Sequence, residues 1–331
     1  MIVQSLFRTA PEVVVHSCGA DAERDAPNAR RVKTTRHSSY TISVVVASCR
    51  DRGLLDACLK SLEIQCRQHG AEIIVARKHD SAELNQLTET YPFVRFVASP
   101  GSTIPRLRAA GLATAQGDII ALTEDHCVFA PDWIAQLSAE FEGDTDVAGG
   151  AMDNAQRQRA IDWAAYFAEY GFFAENGGGR PLEPLLTGAN VAYSRRVVNE
   201  VVKWATRGEW ENVIHTHLSA QAHSFRFLKT ATVYQNQNYH FWAFSRDRFV
   251  HGRDYARRRL LDEANRRWFC FAGSFLLPPV LIMRLAKAVG PHHRWPFLRV
   301  LPITVAFLTA WALGEAAGYW YGPTDLDDNI N

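Results

Sequence analysis

Short apolar segments alternate with amphipathic ones from residue 40 to residue 124, and this alternation restricts the possible folds more than any other feature of the sequence. The apolar segments are rich in β-branched residues and lack polar alternation, which is typical of the buried strands of a parallel sheet. The segments between them carry apolar residues at helical spacing. We therefore predict an α/β fold with a doubly wound, mostly parallel sheet and flanking helices. The four predicted strands are TISVVVAS, AEIIVA, VRFVAS and DIIALT.

Polar and charged side chains follow three of these strands, at the point where each strand ends. In an open α/β sheet, ligands bind beyond the carboxyl ends of the strands. We therefore expect these groups to converge on one site. They are Ser48, Arg50 and Asp51 after the first strand, Arg77, Lys78, His79 and Asp80 after the second, and Glu124, Asp125 and His126 after the fourth.

The cluster after the fourth strand has the composition of a metal site. Glu124, Asp125 and His126 offer oxygen and nitrogen donors, which suit Mg²⁺ or Mn²⁺ when a diphosphate supplies the remaining ligands. The same residues could instead form an acidic cap before the predicted helix in APDWIAQL, with His126 simply exposed. Residue types alone leave both interpretations open.

The charge balance and the hydropathy exclude several classes of protein. Lys and Arg number 36 against 35 Asp and Glu, so the chain lacks the strongly basic character of a nucleic-acid-binding domain. A mean hydropathy of −0.17 excludes a polytopic transporter. The six cysteines form no C-x-x-C pair, and the N-terminus lacks the pattern of a secretory signal. We therefore expect free thiols and a cytoplasmic catalytic body.

The order of motifs from residue 40 to about residue 260 resembles that of family 2 glycosyltransferases of the GT-A fold. In that family, an acidic D-x-D-type motif ends a strand and precedes a helix start similar to Pro-Asp-Trp. Glu124-Asp125-His126 occupies that place here and is followed by Pro131-Asp132-Trp133. The segment Arg108-Ala109-Ala110-Gly111 is similar to the family's Arg-Asn-x-x-Gly helix, and Thr187-Gly188-Ala189-Asn190 is similar to its donor-sugar turn.

The resemblance implies a metal-assisted, inverting transfer of a sugar from a nucleotide-diphosphate donor. It implies that Glu124, Asp125 and His126 hold Mn²⁺ or Mg²⁺. The residues expected to bind the nucleotide sugar are Ala47, Ser48, Arg50, Asp80, Arg108, Glu124, Asp125, Gly188, Ala189 and Asn190. Family members often carry Asp-Asp-Gly-Ser after the second strand. In this chain, only Asp80 could take the place of the Asp in that motif.

An inverting transfer needs a carboxylate that takes the proton of the acceptor hydroxyl. The family usually has a Glu-Asp pair in the segment RGEWENVIHTHL, where this chain reads Glu211-Asn212. The resemblance therefore implies Glu211 as the base, with Glu209 as the alternative. Both acids could also simply complement the macrodipole of a helix.

Basic residues downstream of this segment are candidates for a lid over the diphosphate, because Arg forks suit phosphate oxygens. The candidates are Arg246, Arg248, His251 and Arg253. For Arg257–Arg259, a basic helix on anionic lipid is an equally good interpretation. The glycine-rich segment ENGGGRPLEP is either an active-site flap or a surface loop.

Two apolar segments, residues 268–283 and 300–313, predict a C-terminal helical hairpin. Each is shorter than the roughly 20 residues of a comfortable membrane span, and Pro278-Pro279 breaks the first. Both flanks are basic, so a spanning hairpin would conflict with the positive-inside tendency. A re-entrant or interfacial hairpin is favoured, and two core helices or a dimer interface are the soluble alternatives.

The sequence thus predicts a catalytic domain between a flexible leader and a membrane-associating tail. The leader is 1–39, the GT-A domain is 40–260 with a donor half 40–133 and an acceptor half 134–260, and the tail is 261–331. The expected enzyme acts at the cytoplasmic face of the cell membrane on a lipid-linked or saccharide acceptor. A catalytically silent GT-A-like scaffold, which Asn212 would favour, is the alternative. A nucleotidyltransferase would need a glycine-rich phosphate loop, which Ser48–Gly53 matches poorly.

Overall fold

The described part of the chain is residues 40–322 apart from 51, 79, 100, 102, 175–185 and 263, taken from a computed structural model. Of Ser81 and Asp262 only the backbone is described. The predicted leader and the segment ENGGGRPLEP lie outside these residues, as do Asp51 and His79.

The first half of the sheet is the predicted parallel one. Its strands pair in the order β3-β2-β1-β4, all in parallel, with a helix in each connection. Every residue of the central strands β1 and β4 is buried, which explains why these strands are mostly apolar. The elements are β1 (Ile42–Ala47), α1 (Arg52–His69), β2 (Glu72–Lys78), α2 (Ser81–Thr90), β3 (Val94–Ser99), α3 (Ile104–Thr114) and β4 (Ile119–Glu124).

The second half makes the eight-stranded sheet mixed. After β4 the order is β7-β6-β8-β5, with β7 antiparallel to both neighbours and β6 parallel to β8. The elements are β5 (Cys127–Phe129), α4 (Trp133–Glu140), β6 (Val147–Asn154), α5 (Ala160–Tyr170) with the 3₁₀ turn Gly171–Phe173, β7 (Asn190–Ser194), α6 (Arg195–Thr206), α7 (Glu211–Ala220) and β8 (Phe225–Gln235).

The main hydrophobic core places α3, α6 and α7 against one face of the sheet. Leu112 of α3, Val197 of α6 and Leu218 of α7 are buried together with Ile120 of β4 and Val191 of β7. This packing brings the start of α7 to the carboxyl end of β4. Two segments far apart in sequence thereby meet at the predicted ligand edge.

The C-terminal helices pack on the catalytic body. They are α8 (Phe241–Asp262), α9 (Arg267–Ser274), α10 (Leu277–Ala288) and α11 (Arg294–Tyr321). The helical hairpin is present, but its second arm is longer than predicted: α11 runs through Pro302 and Glu315 and packs against α8, α5, α9 and α10. The predicted boundary at residue 260 falls inside α8.

The apolar helices meet the length and composition of membrane spans only in part. Residues 291–321 form one helical stretch that is long and apolar enough to cross a bilayer. Of the most apolar 18 residues of this stretch, 39% are buried inside the protein. Helices α9 and α10 would count as one broken span, bent by 73°. Core helices of soluble proteins meet the same criteria, so this is weak evidence for a membrane.

Candidate active site

The polar groups that end β1, β2 and β4 meet through Asp125. Its Oδ2 accepts hydrogen bonds from the hydroxyl of Ser48 at 2.9 Å and from the backbone N–H of Arg50 at 2.8 Å. Arg77 donates to the Ser48 hydroxyl at 2.6 Å and to the Arg50 carbonyl at 3.2 Å. Ala47 supports the same place, because its carbonyl accepts from the Asp125 N–H at 3.2 Å.

A buried arginine joins two carboxylates from opposite halves of the domain. Arg108 on α3 donates from Nη2 to Glu124 Oε1 and from Nη1 to Glu211 Oε2, both at 2.6 Å. The three side chains are 9% exposed or less. The ring of Trp210 lies 5.7 Å from the Arg108 guanidinium carbon. The structure therefore brings the predicted base into the same cluster as the predicted metal ligand.

Gly188 leaves the space that this guanidinium occupies. A Cβ at Gly188 would lie 2.4 Å from the guanidinium carbon and nitrogens of Arg108. Any side chain there would displace Arg108 and separate the two ion pairs. The glycine in the predicted donor-sugar turn is thus required by packing within the site.

The two carboxylates paired with Arg108 differ in their acidity. Burial raises the pKa of Glu124 above its usual value despite the nearby Arg108 and Arg50. Burial acts in the same direction on Glu211, but the charge and hydrogen bond of Arg108 hold its pKa below the usual value. The site therefore favours the ionised form of Glu211 more than that of Glu124.

His126 presents an unpaired ring nitrogen to Glu124. Its Nε2 bonds the Tyr170 hydroxyl at 3.1 Å, and its Nδ1 lies 3.5 Å from Glu124 Oε2. Among the described residues, nothing hydrogen-bonds that Nδ1. Burial lowers the pKa of His126 well below its usual value, which keeps the imidazole neutral.

These two side chains could hold a divalent cation together with a ligand. A neutral imidazole nitrogen and a carboxylate oxygen are a suitable pair of donors for Mn²⁺. Asp125 is turned toward Ser48 instead, so the predicted trio does not converge as a whole. Within the described ranges there is no group of three His, Cys, Asp or Glu side chains that could hold a metal ion without such a ligand.

The side chain of Asn190 holds the predicted donor-sugar turn in place. Its Oδ1 accepts from the Trp133 indole at 2.9 Å, and its Nδ2 donates to the carbonyls of Ala151 and Ala231 at 3.0 and 2.9 Å. The carbonyl of Ala189 accepts from the Thr123 hydroxyl at 2.8 Å. With its donors and its acceptor engaged within the protein, Asn190 fixes the backbone of this turn.

The remaining sequence candidates are dispersed. Asp80 caps α2, where its Oδ1 accepts from the N–H groups of Ala82 and Glu83 at 3.1 and 3.2 Å. Glu209 is half-buried in the turn before α7 and lies outside the hydrogen bonds of the Arg108 cluster. Arg246 is exposed, and Arg253 pairs with Asp254 at 3.2 Å.

Two of the lid candidates belong to a second polar cluster. Arg248 donates to Glu169 at 3.2 Å and to His251 Nδ1 at 2.9 Å, and the His251 ring lies 6.2 Å from that of Trp210. Glu169 also accepts from Gln235 at 3.3 Å and from Tyr239 at 3.4 Å.

Sequence reasoning missed Glu169 and Tyr170. Both lie at the end of the aromatic-rich helix α5, from which no site residue was predicted. The one available signal was a second carboxylate, besides Asp162, near the end of a largely apolar helix, followed by the tyrosine that bonds His126.

Comparison with known proteins supports a family and a fold. Residues 43–202 match the model of glycosyl transferase family 2. A mannosyltransferase from Pyrobaculum calidifontis, solved with GDP-Man and Mn²⁺, is 14% identical, with 83% of this chain and 87% of that chain covered at a TM-score of 0.51. Glucosyl-3-phosphoglycerate synthase from Mycobacterium tuberculosis, solved with phosphoglyceric acid, is 12% identical, with 63% and 76% covered at a TM-score of 0.44. No curated protein matches the sequence.

Proposed function

Because this chain is a glycosyltransferase of family 2, we propose that it transfers a sugar from a nucleotide-diphosphate donor to an acceptor hydroxyl with inversion. The observation that carries the proposal is the buried cluster of Glu124, Arg108 and Glu211 beside the unpaired Nδ1 of His126. It lies at the carboxyl ends of β1 and β4, where α/β sheets bind ligands.

Glu124 and His126 would hold a divalent cation, Mn²⁺ or Mg²⁺, together with the diphosphate of the donor. Such a cation neutralises the charge that develops on the leaving diphosphate. Tyr170 orients His126 through the other ring nitrogen, and Arg108 compensates part of the charge of Glu124. The related mannosyltransferase was solved with a donor and a cation of these classes.

Glu211 would act as the base. As the acceptor oxygen bonds to the anomeric carbon and the bond to the diphosphate breaks, the hydroxyl proton passes to Glu211. Arg108 keeps that carboxylate ionised, which is the state a base requires. Glu209 lies outside this cluster and is the less suited of the two candidates.

The remaining site residues would hold the donor and cover it. Ser48, Arg50 and Asp125 form one hydrogen-bonded group that would hold the nucleoside end. Ala47 ends β1 beside this group, and Asp80 follows the end of the neighbouring strand β2. Gly188, Ala189 and Asn190 would shape the sugar pocket. Arg248 and His251 would cover the diphosphate, with Arg246 and Arg253 as the outer part of the lid.

The acceptor would be a lipid-linked or membrane-proximal saccharide at the cytoplasmic face of the cell membrane. The support is the C-terminal region, which holds thirteen of the fifteen exposed large hydrophobic residues in the described part of the chain. The same α8 that carries Arg248 and His251 packs on that region.

A donor screen followed by a base substitution tests this proposal. Thermal shift with UDP-, GDP- and dTDP-sugars and Mn²⁺ identifies the donor, since a ligand of the native state raises its stability. With that donor, we expect Glu211→Gln to lower turnover by roughly 10²- to 10⁴-fold, the usual contribution of a general base.

Two controls make the result specific to the base. Donor affinity, measured by calorimetry, should change little in Glu211→Gln, and the matched variant Glu209→Gln should keep its turnover. If Glu211→Gln binds donor normally and retains full turnover, Glu211 is not the base.

A further inference from the structure

Large apolar side chains are exposed almost entirely in the C-terminal helices. Of fifteen exposed large hydrophobic residues in the described part of the chain, thirteen lie between Trp242 and Tyr321. Trp242 is 81% exposed, Trp295 77% and Leu276 66%. Soluble proteins rarely expose apolar side chains in such concentration unless the surface binds a partner or a membrane.

The same region has a clear excess of basic over acidic residues. Residues 241–299 contain twelve Lys or Arg and four Asp or Glu, whereas the rest of the chain contains 24 and 31. The near-zero net charge therefore hides a basic region and an acidic remainder. Exposed aromatic rings beside arginines suit the headgroup layer of an anionic bilayer.

The close contact between α8 and α11 restricts how these helices can be oriented relative to a bilayer. The two helices touch through their backbones at three glycines. A Cβ at Gly314 would lie 2.0 Å from the Phe249 carbonyl oxygen, and one at Gly252 would lie 2.3 Å from that of Trp311. At Gly318 the nearest atom, the carbonyl oxygen of Arg253, would be 2.4 Å away.

This contact argues against α11 as a span. Helix α8 packs along α11 and carries Arg248, Arg253, Asp254 and Arg257–Arg259. If α11 crossed the bilayer in this arrangement, these charged side chains would enter the hydrocarbon, which is unfavourable for each of them. The break between α9 and α10 likewise prevents a straight second span.

We infer that the exposed aromatic and basic face of α8–α11 binds the surface of an anionic bilayer, with these helices lying in the interface and none of them crossing it. The occupant is the headgroup layer of a membrane rich in anionic lipid. This inference goes beyond the transferase reaction and does not depend on the identity of the donor. It places the part of α8 that carries Arg248 and His251 near the lipid surface.

Sedimentation with vesicles tests the inference on the full-length protein. We expect binding to phosphatidylcholine vesicles that contain 30% phosphatidylglycerol, and affinity lower by about tenfold or more for phosphatidylcholine alone or in high salt. Membrane-bound protein should be released by alkaline carbonate, as peripheral proteins are.

Substitutions define the face that binds. Replacing both Trp242 and Trp295 by Ser should lower vesicle affinity by about tenfold, because both rings would lie at the interface. Ile64→Ser is the matched control, since Ile64 is 69% exposed on α1, away from this region. Circular dichroism and thermal unfolding should show that all variants fold.

Three outcomes would overturn the inference. Equal binding to both vesicle types, or none, rejects an anionic surface. Resistance to carbonate extraction shows a span instead. Concentration-dependent dimerisation that the Trp242/Trp295 double variant abolishes assigns the face to a second copy of the chain. Since vesicle binding needs no donor, a failure here is separate from a failure of donor binding and transfer.

Discussion

Arg108 is placed so that one guanidinium serves two carboxylates from separate parts of the chain. Its partners Glu124 and Glu211 lie 16 residues downstream and 103 residues downstream of it. The resemblance of motifs points to all three residues. It does not show that Arg108 pairs with both acids at once. Burial nevertheless raises the pKa of Glu124, whereas the charge and hydrogen bond of Arg108 hold that of Glu211 below its usual value.

Glu315 is a buried acid whose burial makes stability depend on pH. It is 1% exposed on α11 and accepts a hydrogen bond from the Trp311 indole. Burial raises its pKa from 4.5 to about 7. Between these values the unfolded chain is ionised while the folded protein is not, so stability falls as pH rises from 4.5 through 7.

Replacing this acid should therefore stabilise the protein only at higher pH. We expect Glu315→Gln to raise the free energy of unfolding by about 3 kcal/mol at pH 8 and to change it little at pH 4.5. Gln can still accept from Trp311. Urea denaturation of both proteins at the two pH values measures the effect, and an equal difference at both would contradict it.

At the level of elements, the pairing of α8 with α11 depends on small residues at the contact. The sequence indicated two apolar segments but not their partner, because helical spacing says nothing about which surface a helix meets. The choice of partner depends on Gly252, Gly314 and Gly318. Because these residues lack side chains, the backbones of the two helices can touch there.

A methyl group at this contact should force the helices apart. We expect Gly314→Ala to destabilise the protein by about 1–3 kcal/mol, because overpacking outweighs the roughly 1 kcal/mol of helix propensity that Ala adds. The control is Gly143→Ala, whose Cβ would have its nearest neighbour at 3.9 Å. Chemical denaturation of the two variants measures the difference in their stability. Equal denaturation midpoints would show that α8 and α11 are loosely packed.

At the level of the whole molecule, the tail and the body share α8. One part of this helix carries Arg248 and His251 beside the site, and its length packs on α11. Helix α11 also contacts α5, whose residues Glu169 and Tyr170 support the two polar clusters. The C-terminal helix α11 therefore helps to position the site residues on α5 and α8.

Hydrogen exchange should show this shared stability. We expect the buried backbone amides of α11 to exchange as slowly as those of β4, because both would open only with the body. Mass spectrometry of exchanged peptides, without vesicles present, measures it. Fast exchange throughout α11 alongside a protected β4 would show an independently folding appendage.

The sequence determined the parallel half of the sheet and the edge at which the site forms. Buried parallel strands are mostly apolar, so β1 to β4 can be recognised from their composition. A charged residue at the end of such a strand has few structural reasons to be there. The family's motifs then nominated Arg108, Glu124, His126 and Glu211. These features are local in the chain.

The tertiary structure decided what depends on residues far apart. It paired Arg108 with two acids, turned Asp125 away from Glu124 and His126, engaged Asn190 in structural hydrogen bonds and brought in Glu169 and Tyr170. It also extended α11 and placed it on α8. The spacing of apolar residues determines which face of a helix is apolar. Which surface that face packs against depends on the shape and charge of segments far away in the sequence, so it is known only from the folded chain.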